Sequence, residues 1–176
     1  MIRFLSTKVK IVIGSLLIAT VMVIFVLPRN VLIVRDVDRG ENILMLPVSP
    51  GDKFSISFIN SVENLPVIET FVIDKDYHIV FSHILYQAYY VGYIHEEKAK
   101  AVGKGFTIIP DINQRIDKVT FFMGFNAKHT LGFNDEEFPL YEMAQGGDLI
   151  VIEVKKKYIP SFVRKQQVTK KSRKTT

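Results

Sequence analysis

Hydrophobic residues along this chain follow two different rhythms, and the change falls at Pro28. Ahead of it, IVIGSLLIATVMVIFVL (residues 11–27) is one run of apolar or small residues without a charge. Beyond it, apolar residues come in short stretches rich in β-branched and aromatic side chains, separated by Gly, Pro, Asn and Asp. KFSISFIN (53–60) alternates almost strictly, with Phe54, Ile56 and Phe58 on one face and Ser55 and Ser57 on the other. The pattern predicts strands over 31–37, 42–48, 53–60, 67–74, 77–86, 105–110, 116–125, 129–133, 138–143 and 148–155. Turn chemistry separates several of them: Asp38-Arg39-Gly40, Ser49-Pro50-Gly51-Asp52 and Lys75-Asp76. Only HEEKAKA (95–101), with Glu96 and Lys100 at i, i+4, has a helical period, enough for one or two turns. Strands at intervals of about 8–12 residues predict an all-β fold, a β-sandwich or partly open barrel of about 8–10 short strands. One N-terminal transmembrane helix is expected ahead of it.

That expectation rests on length and flanks. Seventeen residues rise about 26 Å as a helix, near the lower limit for the hydrocarbon core of a bilayer. Arg3, Lys8 and Lys10 precede the run, and it ends in Leu27-Pro28-Arg29, without the small residues a signal peptidase requires. An uncleaved anchor follows, with the N-terminus in the cytoplasm and the β domain outside the cell membrane. Arg29 and Arg35 on the far side oppose that orientation only slightly. The chain thus divides into an anchor (1–28), an extracytoplasmic β domain (29–157) and a basic, disordered tail (158–176).

The composition narrows the chemistry. The 176 residues suit one domain, and none is cysteine, which removes disulfides, thiolate nucleophiles and cysteine-ligated metals. The net charge of +5 is concentrated: nine Lys or Arg and no acid lie from Lys155 to Thr176. The other fourteen basic residues face all 18 acids, so the body is mildly acidic. A nucleic-acid surface would rest on the tail alone, and the strands lack interleaved basic and aromatic residues, so nucleic acid is not an expected partner.

Few motifs point to a reaction. His78, His83, His95 and His129 form no HExxH or His-x-His pair, and no Asp or Glu completes a compact metal spacing around them, so no metal or cofactor is expected. No serine sits in a Gly-x-Ser-x-Gly elbow. Val102-Gly103-Lys104-Gly105 resembles a phosphate cradle only faintly and reads as a turn entering a strand. The stretch NSVENLPVIET (60–70) stands out. If 53–60 and 67–74 form a hairpin, Asn60 continues the Phe54 face, and parity puts Glu69 with Val67, Phe71 and Ile73. If both faces point into the core, the two lie at the same end of the sandwich, within two rungs of each other. An inward carboxylate needs a partner; Asn60, the Ser61 hydroxyl and the backbone N–H groups of 61–65 are the local candidates. Two readings stay open there: a polar knot that pins a turn, or a ligand- or partner-facing acidic site. An envelope hydrolase using Glu63 and Glu69 as acid and base is the enzymatic alternative, and a purely structural envelope protein is a third.

The order of these features resembles the family called domain of unknown function 1850, over roughly residues 30 to 157. The resemblance is carried by Asn60, Ser61, Val62, Glu63, Pro66 and Glu69, by the segment around Tyr86, Tyr90 and Gly92, by His129-x-Leu131, and by the strand Gly147-Asp148-Leu149-Ile150-Val151-Ile152. Two departures stand beside it: family members typically carry His where this chain has Asn60, and a Gly-Ala-Gly-like segment ending in Pro where it has YYVGYIHE (89–96). The family consists of small membrane-anchored proteins commonly encoded beside TAXI-type TRAP transporters. The resemblance therefore implies a non-enzymatic accessory or binding protein in contact with a TRAP permease or its solute-binding protein. The candidate contact residues are Asn60, Ser61, Glu63, Glu69, Tyr90, Gly92 and His129, with no catalytic residue. The cytoplasmic membrane is the other expected partner.

Overall fold

The computed structural model describes residues 7–87 and 98–158, with the side chains of α1 described for residues 9–18. The helix α1 (Thr7–Val26) belongs to one unit of the chain, and residues 30–155 form the other. Twelve strands follow α1: β1 (Pro28–Asp36), β2 (Glu41–Pro47), β3 (Lys53–Ile59), β4 (Pro66–Ile73), β5 (Ile79–Tyr86), β6 (Lys100–Gly103), β7 (Phe106–Ile109), β8 (Gln114–Ile116), β9 (Lys118–Phe122), β10 (Thr130–Phe133), β11 (Glu136–Pro139) and β12 (Leu149–Tyr158).

They make two sheets. One has the order β2-β1-β12-β9; the other runs β11-β10-β3-β4-β5-β7-β6, with β8 also paired to β5. The main core lies between them. Leu32, Val34, Ile150 and Ile152 come from the first sheet and Phe54, Ile56, Phe71, Ile73 and Leu131 from the second. A second cluster, Val67, Ile84, Tyr86 and Ile109, continues the inner face of the long sheet toward β7. The fold is a β-sandwich, as the short alternating strands predict. β1 buries Val31, Leu32, Ile33 and Val34 in succession, so both of its faces are covered, which its unbroken apolar run reflects.

Turn chemistry acts where the sequence places it. Pro50 and Gly51 occupy the centre of a turn closed by the Asp52 N–H donating to the Ser49 carbonyl, and Gly51 has φ +92, as a type II turn demands. Of Val102-Gly103-Lys104-Gly105, the first two residues end β6 and Lys104-Gly105 form the turn to β7, both at positive φ.

Several expectations are corrected. The strands number twelve among the described residues, because β6 and β8, both short and largely exposed, add to the long sheet. Lys100 and Ala101 lie in β6, not in the helical turns expected over 95–101; residues 95–97 of that stretch lie outside the described residues. The strand expected over 138–143 is β11 at 136–139 followed by a short 3-10 turn, Leu140–Glu142. Asn134 and Asp135, both at positive φ, form a two-residue hairpin turn that starts β11 at Glu136, two residues early. Among the described residues no helix is long and apolar enough to cross a membrane; the described side chains of α1 cover ten residues, about 15 Å of helix. The tail beyond Tyr158 lies outside the described residues.

Candidate functional site

β3 and β4 pair with Ile59 opposite Pro66, Phe58 opposite Val67 and Ile56 opposite Glu69. The connection from 60 to 65 is built around Asn60. Its side-chain oxygen accepts from the backbone N–H of Val62 at 2.8 Å and of Glu63 at 3.4 Å. Its own N–H donates to the Leu65 carbonyl, and its carbonyl accepts from Asn64, which sits at φ 57. Asparagine suits this position because its short amide replaces a backbone acceptor two residues on. Asn60 thus pins the turn, and with its oxygen committed, the amide NH2 is the group it can turn outward.

Glu69 has a different setting. It is half-buried on β4, opposite Ile56 of β3 and Ile84 of β5, on the face that carries Val67 and Phe71. Directly opposed residues share a sheet face, so Glu69 belongs to the inner one, as parity predicts. Two inward rungs, roughly 14 Å of strand, lie between it and the position of Asn60. Glu63 is half-buried within the turn.

The turn meets a second loop, residues 123–129, that joins β9 to β10. The Ile59 N–H donates to the Ala127 carbonyl at 2.8 Å. At its other end, the Met123 N–H donates to the Asp148 carbonyl and the Gly147 N–H to the Met123 carbonyl. Gly124 is needed for the chain to close on itself here: a Cβ would meet that of Ala127 at 2.7 Å.

His129 stands at the end of this loop, 7% exposed. Its imidazole stacks between Phe58, at 5.3 Å, and Phe121, at 4.8 Å. The Gly124 N–H donates to Nδ1 at 3.4 Å, which selects the neutral tautomer with the proton on Nε2. Burial pushes the imidazole pKa below its ordinary value, so the ring is neutral at pH 7.

Between the turn and the loop lies a cavity of about 540 Å³ lined by residues 58–62, 124–127 and 129. Asn60, Ser61 and His129, far apart in sequence, therefore share one cavity. Val62 and Phe125, each 85% exposed, belong to the same lining. The cavity's chemistry is two aromatic walls, an apolar rim and a small set of polar donors. Such a mixture can orient a ligand or a partner side chain. Neither Glu63 nor Glu69 is among the described lining residues. Tyr90 and Gly92 lie outside the described residues. Val62 enters the sequence reading only as part of Ser61-Val62-Glu63, and Phe125 carries no motif; its signal is only that it is a large apolar residue beside Gly124 and Asn126.

One compact spacing around a histidine does exist, contrary to the sequence reading: Asp74, Asp76 and His78 gather at the β4–β5 turn. Arg115 from β8 pairs with both carboxylates there. Desolvation would raise the Asp74 pKa, but hydrogen bonds from the His78 and Asp76 N–H groups and from Arg115 outweigh it and lower it. An arginine already serves as the cation of this turn.

Comparison with known proteins returns one family model, described as Domain of unknown function (DUF1850), which matches residues 54–140. No curated protein and no solved structure matches. Over residues 54–140, which hold the β3–β4 hairpin, its turn and His129, the chain resembles the DUF1850 family.

Proposed function

We propose that this protein is a membrane-anchored, extracytoplasmic accessory or binding module without enzymatic activity, and that the cavity between the 60–65 turn and the 123–129 loop is its contact site. The observation that carries the reading is the convergence of Asn60, Ser61 and His129 on a cavity whose rim exposes Val62 and Phe125. Two large apolar side chains held in water beside a polar cavity suit a surface that a partner covers.

The anchoring half of the proposal draws on the charge-free run 11–27, most of which lies in α1, and on the basic residues ahead of it. The partner half draws on the family resemblance, which points to a TAXI-type TRAP permease or its solute-binding protein. A hydrolase built on Glu63 and Glu69 finds less support, since the cavity is lined by a neutral histidine and an amide instead.

Purification of the tagged full chain from membranes solubilised in a mild detergent tests the proposal. Recovery in the membrane fraction together with a transporter component is the expected result. Recovery in the soluble fraction, or from membranes with no transporter component under conditions that keep permease complexes whole, would count against it.

A further inference from the structure

Three carboxylates that the cavity does not use meet on the first sheet: Asp36 at the end of β1, Asp38 in the β1–β2 turn and Asp148 just before β12. One oxygen from each lies within 4.8 Å of the other two. Their backbones are fixed independently. The Val37 N–H donates to the Leu149 carbonyl, the Leu149 N–H to the Asp38 carboxylate, and the Gln145 N–H to the Asp148 carboxylate.

Asp36 is the unusual member. Its side chain is fully buried; Oδ1 accepts from the Arg39 N–H at 3.0 Å, but Oδ2 accepts no hydrogen bond. The Arg39 Nε lies 3.3 Å from that oxygen without hydrogen-bond alignment, and Arg39 Nη2 lies 3.4 Å from the Asp148 carboxylate. Among the described residues, one guanidinium faces the three carboxylates. A buried carboxylate oxygen with so poor a partner is costly. Both facts call for another cation.

We infer that Asp36, Asp38 and Asp148 form a binding site for a divalent cation of the calcium type, with Arg39 as the counter-ion that occupies it at low calcium. Oxygens bound to one calcium ion at about 2.4 Å can be no more than about 4.8 Å apart, the limit the three carboxylates already meet. Hard oxygen ligands and no nitrogen or sulfur favour calcium over a transition metal. Arg39 is 37% exposed at its side chain and can swing into solvent as the ion enters. The Asp148 carbonyl holds Met123, the first residue of the His129 loop, so the site braces the cavity's far wall.

Isothermal titration of calcium chloride into the chelator-treated full chain in detergent, with the melting temperature followed in parallel, tests the inference. The expected result is saturable binding in the submillimolar to millimolar range, as in other extracellular modules, and a higher melting temperature. Arg39→Gln should tighten binding about 10-fold by removing the competing cation, while Asp38→Asn with Asp148→Asn should weaken it at least about 10-fold. Absence of binding by the wild type up to about 10 mM calcium overturns the proposal, even if Arg39→Gln binds, because the arginine is then a permanent counter-ion. Binding unchanged in the double variant overturns it too, by placing the ion elsewhere, such as at Asp74 and Asp76.

Discussion

Phe58 and His129 stack face to face at 5.3 Å, one from the end of β3 and the other from a loop more than seventy residues on. With Phe121 on the other side of the ring, the imidazole is clamped in its neutral form. A buried histidine of lowered pKa binds its proton less readily in the folded than in the unfolded chain, so the unfolded state takes up more protons as pH falls below about 6.5. Stability is then complete above that pH and is lost between it and the lower folded value. Thermal melts at pH 7.5 and 5.5 should show this loss. His129→Phe should reduce it, leaving the part due to His83, whose pKa is lowered by burial and then by Lys53.

Asn60 acts through its acceptor oxygen. Asn60→Ala should lower the unfolding free energy by about 1 kcal/mol, since two turn N–H groups lose a side-chain partner. Asn60→Asp keeps the acceptor and should stay within about 0.5 kcal/mol of wild type. Denaturant titrations of the three proteins measure the difference. Equal losses for both variants would mean that the amide NH2, and not the oxygen, holds the turn.

Phe71 is stacked between Phe54 at 4.9 Å and Phe81 at 5.0 Å, and it is 2% exposed. Phe71→Ala should cost about 3–5 kcal/mol by cavity formation on the inner face of the long sheet. Chemical denaturation provides the check, and a cost below about 1 kcal/mol would show that the sheets do not pack through this stack.

Gly124 and Gly146 both permit close approach, with different consequences. A Cβ on Gly146 would come within 2.3 Å of the Phe125 ring, which is largely exposed and can swing away. A Cβ on Gly124 would strike that of Ala127 in a loop tied at both ends. Gly124→Ala should therefore lower stability by about 1–3 kcal/mol, while Gly146→Ala should cost less and instead displace Phe125. Melting curves rank the two, and the ring's chemical shifts report its displacement.

The strands were legible because alternation survives in them: Phe54, Ile56 and Phe58 lie on one face, and Glu69 joins Val67 and Phe71 on the inner face as parity requires. β6 and β8 were not, since Lys-Ala-Val-Gly and Gln-Arg-Ile have no apolar period to read. β11 could have been placed from Asn134-Asp135, a strong two-residue hairpin signal, but Glu136 and Glu137 look like loop residues when taken by themselves. The role of Asn60 as a turn pin follows from its residue type. Its meeting with His129 does not, because that contact depends on how β3, β9 and β10 come together. The same holds for Asp36 and Asp148, which local spacing could never join.

Site-specific photo-crosslinking decides whether the exposed rim is a contact surface. A crosslinking amino acid placed at Phe125 in the full chain, in its native membrane, should capture a transporter component. The same group at Val102, an exposed apolar position on β6, should not. No capture at position 125, or equal capture at both positions, would contradict a partner site at the Asn60–His129 cavity.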